Sequence, residues 1–498
     1  MPRLPLTDQQ KNATCAVSTR LFIEAAPGAG KTTVAAERYG VLRFGSRRRS
    51  RRSVTAISFT RSATGELTRR VRSRWGSSAL TWPHGVTTVD SLLCNILQHL
   101  LRRNVIRWPG DHTILTVLDD WRGHRGFRWL TPGNYRRVVA LDSSRKVISR
   151  GERVTVARPG IGSREYFHGH LAAGLCTHEE IRGLVAAAIT DEAMRGVIVE
   201  LLSSSVDHLV VDEVFDANGL DLALIALACD ANIAVTLVGD PWQALYGFRG
   251  AEPELVPKLL KDWNFHSLPL SQSFRFETPE MKDLATRLRD GLPVAIIEGG
   301  DYQVVLAAKW DQLWQAPNHV LPLSFGRTSN KTDAAAIVLL DHLVYSTFNT
   351  RAIFLPEALV LLDLDQDTYR KDGPAVLGSV VETLSGNGVD APWRALAALR
   401  SAMKDLGAPR RPPSSSGDNE QKQLDRLALL ATRLRSGRTL IPGMTIHQAK
   451  GREWDRVGVR LGTAEVSRLA AGLKQSVEPD RALYVALTRA RQHVRSVA

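Results

Sequence analysis

Short apolar runs bounded by polar turns recur along the chain. They lie at residues 21–24, 54–59, 209–211 and 234–238. Runs this short, separated by segments of helix-forming composition, are typical of strands that are buried on both faces of a parallel sheet. The pattern therefore predicts an α/β fold in which helices pack on a doubly wound sheet.

The most apolar stretch, residues 220–239, is interrupted by Asp221, Asp230 and Asn232, so it does not read as a membrane span. The first ten residues lack the apolar core of a signal peptide. The cysteines, at positions 15, 94, 176 and 229, form no CxxC pair, which favours neither a disulfide framework nor a zinc site. We therefore expect a cytoplasmic protein with no membrane association.

Size and charge narrow the class of protein further. A chain of 498 residues with 44% hydrophobic residues is expected to form several folded units. The net charge of +14 favours a polyanionic partner such as nucleic acid, because neutralising phosphates releases condensed counterions. An arginine-rich solvated surface would give the same charge without such a partner.

The segment AAPGAGKT, residues 25–32, lies between a predicted strand and a predicted helix. Small residues there let backbone N–H groups surround phosphate oxygens, with Lys31 on the β and γ phosphates and Thr32 on Mg²⁺. Ala25 stands where the GxxxxGK[ST] pattern has glycine, and an ordinary glycine turn is the alternative. The predicted nucleotide-binding residues are Ala26, Pro27, Gly28, Ala29, Gly30, Lys31, Thr32 and Thr33.

Two further strand ends carry polar residues that suit phosphate chemistry. Asp212 and Glu213 follow one apolar run. We expect Asp212 to bind Mg²⁺ and Glu213 to act as the base for the attacking water. Gln243 follows the next run and is expected to sense the γ phosphate. Beyond it, Tyr246 and the neighbouring pair Phe248 and Arg249 suit base stacking and backbone contact, with core packing as the alternative for the aromatic rings.

The order and spacing of these segments resemble the UvrD/Rep family of superfamily 1 DNA helicases. Residues 6–10, LTDQQ, are similar to the Q motif of that family, which implies that Gln10 reads the adenine edge. Residues 59–61, FTR, resemble motif Ia and imply that Thr60 contacts the DNA backbone. Residues 87–91, TTVDS, resemble motif Ib.

The resemblance continues through the second half of the chain. Residues 270–275, LSQSFR, are similar to motif IV, which implies that Phe274 stacks on adenine and Arg275 reaches the γ phosphate. Residues 484–491, YVALTRAR, closely match motif VI and imply that Arg489 is a second charge-stabilising arginine.

Residues 444–454, MTIHQAKGREW, look like motif V of the same family. This similarity implies that Thr445 and His447 lie near DNA and that Glu453 lies near the nucleotide sugar.

Three positions depart from the family pattern. Phe215 replaces the glutamine of the usual DEFQD run, Asp90 replaces a histidine of motif Ib, and Thr33 stands where an adenine-contacting arginine is often found. These departures imply that basal ATPase activity and its coupling to DNA differ from the family pattern.

The resemblance implies two RecA-like P-loop NTPase lobes with parallel sheets, each with a mainly helical insertion, and ATP bound between them. The expected layout is 1–90 and 205–267 for the first lobe, 91–204 for its insertion, 268–344 and 438–498 for the second lobe, and 345–437 for its short insertion.

The implied function is ATP- and Mg²⁺-dependent translocation along single-stranded DNA in the 3′-to-5′ sense, with unwinding at DNA junctions, for example in DNA repair. The alternative is a DNA-sensing ATPase that regulates a partner nuclease in a bacterial antiviral defence complex. A P-loop small-molecule kinase would explain neither Arg275 nor Arg489.

Overall fold

A computed structural model describes residues 5–497 except 46–51, 120–129, 132–134, 154–163, 246, 248–249, 329, 387, 389 and 409–416, with only the backbone for 130–131, 135–136, 164, 166 and 417–419. The chain divides into two compact units, Met1–Arg275 and Phe276–Ala498.

The helices of the first unit are α1 (Asp8–Cys15), α2 (Lys31–Gly45), α3 (Arg61–Trp75), α4 (Val89–Arg102), α5 (Arg164–Ala172), α6 (His178–Thr190), α7 (Glu192–Ser205), α8 (Gly219–Asp230) and α9 (Val256–Asp262). Its strands are β1 (Arg20–Ala25), β2 (Ser53–Ser58), β3 (Gly85–Thr88), β4 (Thr116–Leu118), β5 (Leu130–Thr131), β6 (Tyr135–Leu141), β7 (Val147–Arg153), β8 (Leu175–Thr177), β9 (Val206–Asp212), β10 (Ala234–Gly239) and β11 (His266–Leu270).

Within the described residues, the main sheet of the first unit has six parallel strands in the order β11-β1-β10-β9-β2-β3. Alternate residues of a strand face opposite sides of a sheet. Accordingly, Ile23 joins the apolar cluster around Val34 and Tyr39 on one face, whereas Phe22 joins the cluster around Ile57 and Phe215 on the other. The sheet is buried on both faces, which confirms the predicted parallel α/β fold.

The apolar stretch 220–239 forms α8 and β10, both of which contribute to this core. In the part of the chain that the structure describes, no helix has the length and apolar character needed to cross a bilayer.

The insertion expected at residues 91–204 contains strands as well as helices. β4 pairs with β8 in parallel, and β5, β6 and β7 form an antiparallel sheet. The residues that follow β10 also differ from the expected layout: β11 pairs with β1, with Leu270 opposite Ala25, so the first unit continues through residue 268 to Arg275. Nothing in the local sequence of residues 266–270, HSLPL, indicated which sheet this strand would join.

The second unit contains helices α10 (Pro279–Arg289), α11 (Trp310–Trp314), α12 (Lys331–Phe348), α13 (Leu355–Leu362), α14 (Gln366–Ser385), α15 (Ala391–Asp405), α16 (Gly417–Leu434), α17 (Ile446–Ala449), α18 (Thr463–Ala471) and α19 (Glu478–Leu487). Its strands are β12 (Val304–Ala307), β13 (Val320–Pro322), β14 (Ile441–Thr445), β15 (Trp454–Arg460) and β16 (Ala490–Val497).

These strands form a second parallel sheet in the order β13-β14-β12-β15-β16. Helices α13 to α16 follow one another between β13 and β14, as expected for a helical insertion. The buried Arg433 of α16 ties this insertion to the sheet: its guanidinium lies 4.5 Å from the centroid of the Trp314 ring and donates a 2.7 Å hydrogen bond to the carbonyl of Val320.

Candidate active site

The loop between β1 and α2 has the conformation of an anion cradle. Gly28 and Gly30 have φ angles of +74° and +84°, in the left-handed region that favours glycine. A Cβ added at Gly28 would lie 2.5 Å from the Cβ of Arg275, so the close packing there also requires glycine. α2 begins at Lys31, and the first N–H groups of a helix have no intrahelical acceptors. The loop therefore presents hydrogen-bond donors to an anion.

Side chains from elsewhere in the first unit hold this loop in shape. The Gln10 amide nitrogen donates to the Ala29 carbonyl at 2.9 Å, and its amide oxygen accepts from the Thr7 N–H at 3.1 Å. The Ser273 hydroxyl donates to the Pro27 carbonyl at 2.7 Å. These bonds engage two carbonyls of the loop and so help to fix its conformation.

Lys31 and a pair of acidic residues meet at the end of β9. The Lys31 ammonium lies 3.8 Å from Oε1 of Glu213, and only 9% of the lysine side chain is exposed. Asp212 is buried and is hydrogen-bonded to the Thr32 side chain. Its Oδ1 has no hydrogen-bond partner among the described residues. Burial and then the nearby charge of Glu213 raise the pKa of Asp212, against the opposing effects of Lys31 and Thr32.

These residues fit a nucleotide with Mg²⁺. A buried carboxylate oxygen without a partner is costly, and a divalent cation bound to oxygen ligands would satisfy it. The carboxylate of Asp212 and the hydroxyl of Thr32 are oxygen ligands of the kind that Mg²⁺ prefers. Lys31, next to the N–H groups of the loop, suits phosphate oxygens.

The position of Glu213 depends on a strained backbone. Its φ of +62° and ψ of +47° lie in the left-handed region. For a residue other than glycine, such a conformation costs about 1 kcal/mol or more. Here the turn directs the Glu213 carboxylate toward Lys31, directly after Asp212 ends the strand.

Gln243, after β10, is also fixed by a buried neighbour. Its amide nitrogen donates to Oδ2 of Asp240 at 2.8 Å, and the Trp242 N–H donates to Oδ1 of the same carboxylate at 3.2 Å. Asp240 is fully buried and Gln243 is nearly so. The hydrogen bond from its nitrogen sets the orientation of the Gln243 amide.

Phe274 and Arg275 lie beside the loop between β1 and α2. The Phe274 N–H donates to the Gly28 carbonyl at 3.0 Å, whereas 54% of the residue is exposed. An aromatic residue held at the loop but open to solvent is available for stacking on a planar ligand.

Comparison with known families agrees with this geometry. The UvrD/REP helicase N-terminal domain matches residues 6–144 and 179–264, and the UvrD-like helicase C-terminal domain matches residues 368–494. The chain belongs to the UvrD/Rep-type helicase family. The two parallel sheets are therefore the RecA-like lobes that the sequence predicted.

Individual relatives of this UvrD/Rep-type chain are distant in sequence. It is 27% identical to DNA helicase II of Escherichia coli over 54% of this chain and 38% of the relative. It is 25% identical to DNA helicase II of Haemophilus influenzae over the same shares of each chain, 54% and 38%. A putative ATP-dependent DNA helicase, YjcD of Bacillus subtilis, is 22% identical over 53% of this chain and 35% of the relative. The aligned segments thus span less than two fifths of these relatives.

The structure gives each departure from the UvrD/Rep pattern a local context. Asp90 accepts a 2.7 Å hydrogen bond from Nε of Arg182, and Nη1 of the same guanidinium donates to Oδ1 of Asp221 at 2.9 Å. Asp221 is almost completely buried near the start of α8. Asp90 is therefore part of an ion-pair network that links α4, α6 and α8.

Phe215 is a core residue. It is 5% exposed, and its ring meets that of Phe22 edge-on, with centroids 6.1 Å apart. Gly239 leaves room for this ring, since a Cβ there would lie 2.8 Å from it. The position that carries glutamine in the usual pattern here contributes apolar packing.

Thr33 lies next to a guanidinium from another helix. Nη1 of Arg70, on α3, donates to the Thr33 hydroxyl at 2.6 Å, and Arg70 also pairs with Glu66. An arginine is thus present beside the position where Thr33 departs from the family pattern.

The two segments of the first unit that resemble motifs Ia and Ib form helix starts. Thr60 caps α3 by accepting a 3.2 Å hydrogen bond from the Ala63 N–H, and Thr88 caps α4 by accepting a 3.1 Å bond from the Ser91 N–H. Both segments follow parallel strands of one sheet, so they lie at the same edge. Tyr246, Phe248 and Arg249 lie outside the described residues.

In the second unit, Arg489 is 1% exposed. Its Nε donates to the Val485 carbonyl at 3.1 Å, and its Nη1 donates to the Arg452 carbonyl at 3.4 Å. These bonds hold the guanidinium between α19 and the residues that precede β15.

The three residues predicted from motif V differ from one another in burial and in side-chain contacts. The Glu453 side chain pairs with Arg491, which raises the pKa of the Arg491 guanidinium. Thr445 is buried and its hydroxyl donates to the Gln448 side chain, whereas His447 is half-buried.

Sequence reasoning missed the residues that support this site. Asp240 holds Gln243, Ser273 holds the P-loop, Arg70 reaches Thr33, and Arg182 joins two acidic residues. The spacing of Asp240 and Gln243 within one turn was a usable local signal. Ser273 and Arg182 carried none, because their partners are far away along the chain.

Proposed function

We propose that this chain is an ATP-dependent DNA translocase and helicase that acts on single-stranded DNA. One observation carries most of the argument. Oδ1 of Asp212 is buried, has no hydrogen-bond partner among the described residues, and lies in a cluster with Lys31 and Thr32 at the loop between β1 and α2. In a member of the UvrD/Rep-type family, this cluster is best explained as the site for the phosphates of ATP with Mg²⁺.

Each residue of the cluster then has a role that follows from its chemistry. Lys31 and the N–H groups of the loop neutralise phosphate charge, and Thr32 with Asp212 would hold Mg²⁺. Glu213, which pairs with Lys31 in the structure, accepts a proton from the attacking water. When phosphate oxygens bind Lys31, they compete with Glu213 for its charge and leave the carboxylate available as a base.

The sequence patterns and the family resemblance together suggest the remaining roles in this proposal. Gln243, Arg275 and Arg489 respond to the γ phosphate, and Gln10, Phe274 and Glu453 contact the nucleoside. Thr60, Phe248, Arg249, Thr445 and His447 contact DNA, and movement is 3′-to-5′.

Two assays test the proposal. The first measures ATP hydrolysis with and without oligothymidylate, which has no secondary structure, and we expect stimulation by the oligonucleotide. The second measures strand displacement from duplexes with a single-stranded 3′ or 5′ tail, and we expect unwinding only with the 3′ tail. Glu213→Gln is the matched inactive control.

The outcomes separate the two functions that the sequence left open. Stimulated hydrolysis with strand displacement supports the helicase. Stimulated hydrolysis without displacement or translocation refutes it and favours the DNA-sensing ATPase. Hydrolysis that no DNA stimulates contradicts both.

A further inference from the structure

A groove with a volume of about 570 Å³ runs along one side of α3 in the first unit. Its lining includes Arg61, Thr64, Thr68, Arg69, Arg72 and Thr88. None of the described residues that line it carries a carboxylate or a large apolar side chain. The charged side chains of this lining are all arginines, so the groove is positively charged.

The lining residues of α3 form a continuous strip. They recur every three or four residues from Arg61 to Ser73, which is the spacing of one helix face. At a rise of 1.5 Å per residue, this face is about 18 Å long. A linear anion with several charges could contact the strip along its length.

The arginines of the strip can exchange their present partners for a ligand. Arg72 is exposed and has no ion pair among the described residues. Arg69 pairs with Glu66 and Arg61 pairs with Asp119, and all four side chains are at least 37% exposed. Ion pairs this exposed contribute little to stability, so phosphate groups can displace the carboxylates at low cost.

Gly65 is a second, independent feature of the groove. It lies within α3, where glycine destabilises a helix relative to alanine. A Cβ added there would have no neighbour within 4 Å, so packing inside the described protein does not require glycine. Open space in the groove wall lets a ligand approach the helix backbone closely.

The groove begins at the segments that resemble motifs Ia and Ib. Thr60 caps the helix whose face forms the groove, and Thr88, at the end of β3, lines it directly. Arginine together with serine and threonine hydroxyls is the usual set of donors to DNA phosphates. A protein partner would instead be expected to meet large apolar or aromatic side chains, and the described residues of the lining include none.

We propose that this groove binds the sugar-phosphate backbone of single-stranded DNA and extends the strand contact expected at Thr60. The inference rests on the proposed function, since it presupposes that the chain binds single-stranded DNA. Arg69 and Arg72 make phosphate contacts, and Gly65 keeps the groove open.

The experiment uses the full chain and oligothymidylates of increasing length, with affinity measured over a range of salt concentrations. The Arg69→Ala/Arg72→Ala double variant should lower the slope of log affinity against log salt by about 1 to 2, because each lost phosphate contact removes a share of counterion release. The affinity of the double variant should also stop increasing at a shorter oligonucleotide length than the affinity of the wild type does. Arg102→Ala is the matched control, since Arg102 is also an exposed arginine in the last turn of a helix and has no ion pair among the described residues.

Gly65→Leu supplies a test that does not alter charge. It should weaken binding of long oligothymidylates while the melting temperature stays at or above that of the wild type. A purely structural role for Gly65 would instead lower the melting temperature.

The outcomes are distinguishable from failure of the proposed function. If the wild type does not bind oligothymidylate, both ideas fail. If it binds but the double variant and Gly65→Leu keep wild-type affinity, salt slope and length dependence, only the groove assignment is wrong. Arginine-dependent binding of polyglutamate without binding of oligothymidylate at the groove would instead indicate an acidic protein partner.

Discussion

Arg182 offers the sharpest test of the structure because a single guanidinium serves two carboxylates. It bonds to Asp90 at 2.7 Å and to Asp221 at 2.9 Å. Replacing it with Met keeps the aliphatic bulk but leaves Asp221, which is 3% exposed, without a counterion. We expect Arg182→Met to destabilise the first unit.

The size of the effect follows from burial. Removing one partner of a fully buried ion pair costs about 3 to 5 kcal/mol, because the other charge stays buried. A quarter of the Arg182 side chain is exposed, so solvent screening reduces the expected loss to about 2 kcal/mol. Asp90→Asn should cost less than about 1 kcal/mol, since Asp90 is 29% exposed.

The assay is denaturant unfolding of the full chain, and a probe in the first unit monitors the unfolding. The double variant Arg182→Met/Asp221→Asn is the matched control. Asn at position 221 can still accept the 3.1 Å bond from the Asn218 N–H that Asp221 accepts now. The double variant leaves no buried charge at position 221. It should therefore recover at least half of the stability that Arg182→Met loses.

The same loss should depend on pH in a defined direction. Burial raises the pKa of Asp221 in the folded protein, and Arg182 opposes this effect. A carboxyl group with a raised folded pKa favours the folded state at low pH and costs stability as the pH rises above its unfolded value. The deficit of Arg182→Met should therefore be larger near about pH 8 than near about pH 5. A deficit that is independent of pH and persists in the double variant would refute the reasoning.

Three further predictions concern catalysis and DNA contact. Glu213→Gln should retain ATP but abolish turnover, whereas Lys31→Ala should weaken both, as measured by nucleotide binding and hydrolysis; wild-type turnover in Glu213→Gln would exclude it as the base. Arg275→Ala and Arg489→Ala should lower kcat much more than ATP affinity, because they stabilise charge mainly in the transition state; normal hydrolysis in both would contradict this. Phe248→Ala should cost about 1 to 3 kcal/mol of single-stranded DNA binding, seen as a higher DNA concentration for stimulated hydrolysis; a lowered melting temperature with an unchanged DNA requirement would indicate core packing instead.

Local patterns in the sequence were sufficient to predict the strands and the glycine-containing turn between β1 and α2. The apolar runs at 21–24 and 209–211 lie in β1 and β9, and Asp212 lies at the end of β9 where the run predicted it. Such features depend on residues within a few positions of one another, so spacing alone reveals them. The opposite faces of β1 also follow from simple alternation, with Phe22 and Ile23 in different clusters.

The tertiary structure alone decided which distant residues meet. Ser273 supports Pro27, and Arg182 neutralises Asp90 and Asp221, although neither arrangement has a local signature. β11 pairs in parallel with β1 on the side opposite β10, a property of topology that no local pattern reports. The periodicity of a sequence indicates which face of a segment is apolar and becomes buried. Which polar side chains pair across the fold depends on how the helices and strands pack against one another.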